Sequence, residues 1–341
     1  MARLFLFVVT TLVLLTASLL FLPSEAEDAG RSKGQKVTER SIAVPPGSKF
    51  VNPEGSCLSF TGLKDAIIEN LVIGPCAAHG IELHDSRNVT IRNVVIADTV
   101  QSGIYITGST SIDIEESRIS KGVSGVYALD SSGIRVSCNT IENPRGPIPR
   151  GQFVQFDKVS GRDNRISCNA GLNARGLGTP EDAISLYKSQ GTPQSPIAVT
   201  DNLIVGGGPS ASGGGIMLGD DGGAYQVAEG NVLVDPGQYG IAVSSGDHMS
   251  ILNNLVFARR QSFTNVGIST WNQYSHACHT IVVEGNKVKW FSKTGRPNPF
   301  WDGENCGEIK GIKHNEFSAA LSPEIANAKS PQCGCHTEGR K

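Results

Sequence analysis

Residues 80–96 read GIELHDSRNVTIRNVVI, and the pattern returns as GIYITGSTSIDIEESRI from Gly103 and GVYALDSSGIRVSCNTI from Gly125. Its opening strand recurs further on as FVQF, AISL, GIML, GIAV and GIST, from Phe153, Ala183, Gly215, Gly240 and Gly267. Each unit closes on Asn-x-aliphatic, at Asn70, Asn93, Asn139, Asn169, Asn202, Asn231, Asn254 and Asn286, with Ser117 substituting once and Asn315 as a last instance. Self-similarity at a period of about 22–33 residues marks a stack of like units.

Within a unit, apolar residues alternate in two or three runs too short for helices, separated by Gly, Ser, Asn and Asp turns. A lone unit cannot bury its apolar face. Stacked at about 4.8 Å per coil, every strand pairs in parallel with its counterparts above and below. An inward Asn at one corner of each coil then hydrogen-bonds to the next, forming a ladder. The expected fold is all-β, a right-handed parallel β-helix of roughly ten coils spanning 57–317. A short helix opened by Ser322-Pro323-Glu324, within a 318–341 cap and tail, is expected to cover its C-terminal end. On these GI-x-aliphatic and Asn-x-aliphatic units the chain resembles the pectin-lyase-like superfamily, whose fold hosts lyases, hydrolases, epimerases and non-enzymes.

The remaining regions bound the setting. Arg3, the apolar run Leu4–Leu22 and Pro23-Ser24-Glu25-Ala26 read as a secretory signal over 1–26, with an uncleaved anchor as the alternative. Residues 27–56 form a polar leading segment. Eight cysteines agree with export and disulfides. Cys57 and Cys76 flank the first coil, whereas Cys138 and Cys168 precede ladder Asn residues of successive coils, close enough in a stack to bridge. Cys278, Cys306, Cys333 and Cys335 are left for the C-terminal end, with pairing open, and the spacing of His276, Cys278 and His279 fits no common zinc site. A net charge of −2 supplies no basic field for nucleic acid or an anionic membrane.

In a GI-x-aliphatic strand the second and fourth residues face inward, so the third and fifth face out. The first outward column is then Glu82, Tyr105, Tyr127, Gln155, Ser185, Met217, Ala242 and Ser269; the second is His84, Thr107, Leu129, Asp157, Tyr187, Gly219, Ser244 and Trp271. Lys158, Asp182, Lys188, Asp220 and Asp221 gather beside the middle of these columns, next to long insertions carrying Arg145, Arg150 and Arg175. Aromatic faces, carboxylates and guanidinium groups suit an acidic polysaccharide.

The expected chemistry is removal of the proton beside a uronate carboxylate, by a lyase or epimerase. Lys188 is the expected base with Lys158 behind it, Tyr187 the proton donor, and Asp157 and Asp182 accompany them. Arg150, Arg175 or a calcium ion held by Asp220 and Asp221 would neutralise the substrate, and Glu82, His84, Tyr105 and Tyr127 would grip its length. The resemblance supplies partial motifs only. Glu181-Asp182-Ala183-Ile184 and Ala78-His79-Gly80-Ile81 resemble polygalacturonase elements in reversed order, and Asp235-Pro236-Gly237 lacks the His of the alginate epimerase segment. A hydrolase with a rearranged site and a non-catalytic glycan- or surface-binding protein are the rival readings.

Overall fold

Alternating burial shows why these short runs form strands and not helices. In Ile81–His84, Ile104–Thr107 and Val126–Leu129 the first and third side chains are buried and the second and fourth partly exposed. The computed structural model describes residues 40–41, 45–146, 151–328 and 335, all within one unit, Thr38–Lys341. The signal-like segment therefore lies outside the described residues, as does most of the leading segment before Pro45.

The chain winds as a parallel β-helix whose coils contribute to three sheets. The first has 11 strands, from Arg40–Ser41 through Lys64–Glu69 to Ile309–Lys310. The second has 10, from Lys49–Asn52 to Lys287–Trp290, and the third has 10, from Leu58–Thr61 to Phe300–Asp302. The named neighbours within each sheet pair in parallel, Ile81 with Ile104 and Ile104 with Val126, for example. One continuous aliphatic core runs down the axis from Ile68 to Val288. Glycine opens six of the third-sheet strands, at Gly80, Gly103, Gly125, Gly215, Gly240 and Gly267, because the backbone there crosses a second-sheet aliphatic side chain. A Cβ on Gly103 would stand 2.3 Å from Ile119 Cγ2.

The corner between the first and second sheets is one left-handed residue followed by one inward side chain. Cys138 has φ 59°, Cys168 φ 61° and Asp201 φ 56°, and Asn139, Asn169 and Asn202 follow them. A chain that turns this sharply leaves its N–H without a strand partner. The ladder supplies one: the backbone N–H and Nδ2 of each Asn, from Asn139 through Asn169, Asn202, Asn231, Asn254 and Asn286, donate to Oδ1 of the next, ending on Asn315. The side-chain bonds are 2.8–3.0 Å long.

Asn70 and Asn93 do not belong to this ladder. They are themselves the left-handed residues, φ 60° and 48°, and Leu71 and Val94 take the inward position. Asn93 is exposed and donates to Asn70 at 2.6 Å outside the coil. A second ladder, of serines, runs down the corner between the third and first sheets. Ser86, Ser109 and Ser131 each accept a backbone N–H from the coil before, at 3.0–3.2 Å, and Ser189 does so from Val159.

Two expectations about the C-terminal region change. The helix Ile325–Ala328 does not cover the end of the coil; it packs outside the second sheet, with Ile325 and Ala326 against Val205, Val234 and Phe257. Phe300, Ile309, Ile312 and Phe317 pack against the end of the core instead, with Phe300 stacked on Phe317 at 5.2 Å. Cys138 is bonded not to Cys168 but to Cys335, with Cα atoms 5.7 Å apart. Left-handed corner residues point their side chains away from the coil, which suits a bond made outside it to Cys335. Cys57 bonds Cys76 and Cys278 bonds Cys306. Cys168 is also disulfide-bonded, and Cys333 lies outside the described residues.

Candidate active site

The third sheet carries the outward columns. The first runs Glu82, Tyr105, Tyr127, Gln155, Ser185, Met217, Ala242, Ser269 and on to Trp301. The second departs from the sequence reading at one place, since Tyr187 pairs with Asp220 and not with Gly219. Gly219 has φ 63° and adds one residue to the strand, which turns Asp220 into the column. The long insertions join second-sheet strands to third-sheet strands, and the fully described one, 173–183, lies on one flank of this face.

At the N-terminal end, His79 stacks on Tyr105 at 4.6 Å and Tyr105 on Tyr127 at 5.7 Å, beside a cavity of about 460 Å³. His84 bonds Glu82 at 2.8 Å, and the Ser56 hydroxyl donates to Glu82 at 2.7 Å. Burial lowers the His79 pKa and favours its neutral ring, while burial of Glu82 is outweighed by its bonds from Ser56 and His84, leaving that carboxyl below its usual range. Tyr127 donates to Asp157 at 2.5 Å, joining this end to the middle.

The middle is a carboxylate cluster. Asp220 accepts hydroxyls from Tyr274 at 3.1 Å and Ser185 at 3.2 Å. Burial, with Glu181 and Asp221 nearby, pushes its pKa up against those two bonds. Asp221 is driven the other way by Lys188 at 2.8 Å, His276 at 2.7 Å and the Tyr187 hydroxyl at 3.1 Å. Asp182 is buried, accepts the Tyr239 hydroxyl and the Gly214 N–H, and is pushed by burial up to about 7.

Several sequence expectations meet this geometry differently. Lys188 is no base. It is the left-handed corner residue, φ 49°, and its bond to Asp221 raises its pKa and holds the ammonium charged. Lys158 points to Asp130 at 3.9 Å, and Arg175 is exposed and bonds to none of the cluster. Arg150 lies outside the described residues. Asp220 and Asp221 do not assemble a calcium site, because one carboxylate takes two hydroxyls while the other is already neutralised by a lysine. Among the described residues no group of three or more His, Cys, Asp or Glu could hold a metal.

Sequence reading missed Tyr239, Tyr274 and Trp301 altogether and considered His276 only for zinc. Tyr274 and His276 come from the loop 271–277 and reach back 54 and 55 residues, a contact no local motif announces. The loop is pinned at its base by Cys278–Cys306 and by the Asn272–Asn305 pair.

Asp182 gives a stability test. Its folded pKa of about 7 stands above the ordinary 3.8, so the folded state holds this proton more tightly than the unfolded chain. Stability from this group is full below about pH 4, falls as pH rises to about 7 and then levels, by on the order of 4 kcal/mol in all. Urea unfolding at pH 4 to 8 should show this fall in the wild type and lack it in Asp182→Asn. Parallel curves for the two proteins would contradict the assignment.

The sequence profile described as right handed beta helix region matches residues 56–288, and the chain belongs to that family. No curated protein sequence matches the chain. Solved structures of similar fold include the tailspike protein mutant of E. coli bacteriophage HK620 in complex with a hexasaccharide, at 12% identity and TM-score 0.45, covering 73% of this chain and 46% of the tailspike. The alginate lyase AlyF-OU02 in complex with G6 aligns at 14% identity and TM-score 0.48, over 80% of this chain and 57% of the lyase. The catalytic unit of the GH87 alpha-1,3-glucanase from Streptomyces thermodiastaticus strain HF3-3 aligns at 14% identity and TM-score 0.39, over 76% of this chain and 54% of the glucanase. The chain spans about half the length of these three, and the likeness is one of fold.

Proposed function

We propose that this protein is an exported carbohydrate-active enzyme that hydrolyses a glycan chain lying along the third sheet, with Asp220 as proton donor and Asp157 as the base. The observation that carries this reading is the split between neighbouring carboxyls. Asp220 is held toward its protonated form while Asp221, Lys188 and His276 form an ion cluster at its side. Carboxyl groups driven apart in pKa are the usual mark of an acid–base division of labour. A lysine-based elimination loses its support, because Lys188 is held as a cation.

In this reaction Asp220 gives its proton to the glycosidic oxygen as the bond to the anomeric carbon breaks. Asp157 takes a proton from the water that attacks that carbon, so the products are two hydroxyl-ended sugars and the pair is reset by proton exchange with solvent. Asp157 and Asp220 stand two coils apart in one column with Tyr187 between them. That is about 10 Å between backbones at 4.8 Å per coil. Carboxyls about 6.5–9.5 Å apart invert the anomeric centre and those about 5–5.5 Å apart retain it. The spacing favours inversion. Export is supported by the disulfides, which persist in oxidising compartments.

Incubation of the purified protein with a panel of neutral and uronic glycans tests this directly. New reducing ends without ultraviolet-absorbing unsaturated ends are expected from at least one member. Unsaturated ends would mean elimination, and binding without any product would leave a lectin-like protein.

A further inference from the structure

Down the first outward column the side chains change character. Tyr105 and Tyr127 fill its N-terminal part, but after Met217 come Ala242 and Ser269, and then Trp301. Two small residues in succession open a depression two coils long, about 10 Å. The cavity there has a volume of about 410 Å³, with Met217 at one end and Trp301 at the other.

Trp271 and Trp301 stand at its rim, ring centres 5.8 Å apart and planes at 72°, so that they form a corner. Both indoles are exposed, at 43% and 45%. Their placement is built into the backbone. Gly303 lies under Trp271, and a Cβ there would sit 2.7 Å from Trp271 Cδ1, so the indole lies flat only over a glycine.

The polar groups around the corner are uncharged: amides, with the hydroxyls of Ser212, Tyr239 and Ser269. Gln238, Asn265, Gln273 and Asn298 line the cavity, and no Asp, Glu, Lys, Arg or His does. Asn298 is spent on the Asn265 carbonyl, whereas the exposed side chains of Asn265 and Gln273 make no hydrogen bond among the described residues. An amide both donates and accepts, which matches hydroxyl groups that do the same. A carboxylate brought here would lose water without gaining a cation. Glu181, behind Ser212 at 2.8 Å, would repel it further.

We propose that this corner is a subsite for a neutral hexose ring, stacked on Trp301 and Trp271 and bonded through its hydroxyls to Asn265 and Gln273. The proposal rests on reading the third-sheet face as a glycan groove and names the sugar class that its C-terminal end accepts. An indole gives a large apolar face for the C–H side of a pyranose, and the uncharged amides select against uronates.

Calorimetric titration of the full chain carrying Asp220→Asn, which leaves this subsite intact, measures binding apart from turnover. The probes are cello-, laminari-, malto- and mannohexaose, with hexagalacturonate and hexaguluronate for comparison. At least one neutral hexasaccharide should bind ten-fold or more tightly than either uronate. Trp301→Ala should weaken that binding ten-fold or more, with Trp301→Phe recovering most of it and Gly303→Ala weakening it by displacing Trp271. The unfolding midpoint of each variant is measured alongside. Trp301 is half exposed, so its loss should leave that midpoint unchanged.

Tighter binding of a uronate, no neutral hexasaccharide bound at millimolar concentration, or binding indifferent to both Trp301→Ala and Gly303→Ala would overturn the proposal. Trp301-dependent binding with no cleavage by the wild type would sink hydrolysis and leave the subsite. Cleavage and binding both indifferent to Trp301 would do the reverse.

Discussion

Asn202→Leu is expected to destabilise the protein by about 2–6 kcal/mol, at about 1–3 kcal/mol for each of two buried groups left unsatisfied. Asn202 Oδ1 accepts from the backbone and side-chain nitrogens of Asn169, while its Nδ2 donates to the Ile166 carbonyl at 2.9 Å and to Asn231. Leucine fills the space and satisfies none of these. The Asn169 N–H and the Ile166 carbonyl lose partners in a place water does not reach. Asn93→Gly is the matched control, because that side chain is exposed and its backbone, φ 48°, is one glycine adopts freely. It should shift stability by less than about 0.5 kcal/mol. Equal losses at the two sites by urea unfolding would remove the ladder from the account.

Asp220→Asn is expected to lower turnover of a natural glycan by about 10²–10⁴-fold, the usual contribution of a positioned proton donor. The carboxamide keeps the hydroxyl contacts of Ser185 and Tyr274 in reach, so binding should change little. A sugar with a dinitrophenolate leaving group needs no proton, and the variant should hydrolyse it at nearly the wild-type rate. Loss on both substrates would make Asp220 a binding or folding residue and would contradict its role as the acid.

The parts of this fold legible in the sequence are those that repeat at fixed offsets. The GI-x-aliphatic strands give the third sheet and its outward columns, and Asn139 through Asn286 give the ladder, because a corner that buries one polar side chain per coil must reuse the same residue. Asn70 and Asn93 mislead because they stand three residues before the inward Ile73 and Ile96, whereas Asn139 stands two before Ile141. That one-residue offset was available to be counted. So was the serine ladder, in Ser86, Ser109 and Ser131. The site was legible only in part. The middle coils carry the acids, as the clustering of insertions suggests, but the state of each acid depends on distant groups. Lys188 is ion-paired because Asp221 lies one coil away, and Asp220 is shielded because Tyr274 folds back from two coils further on. A bulge at Gly219 moves Asp220 into line, and the glycine inside the strand was its one local signal.

The central claim is that a glycan chain lies along the third sheet and meets Asp220 there. A crystal structure of Asp220→Asn soaked with a hexasaccharide from the binding panel tests it most directly. The account predicts a sugar chain parallel to the helix axis over Gln155, Ser185 and Tyr187, with a glycosidic oxygen within hydrogen-bond reach of residue 220. A chain bound to the outer face of the first or second sheet, with the third sheet bare, would contradict it.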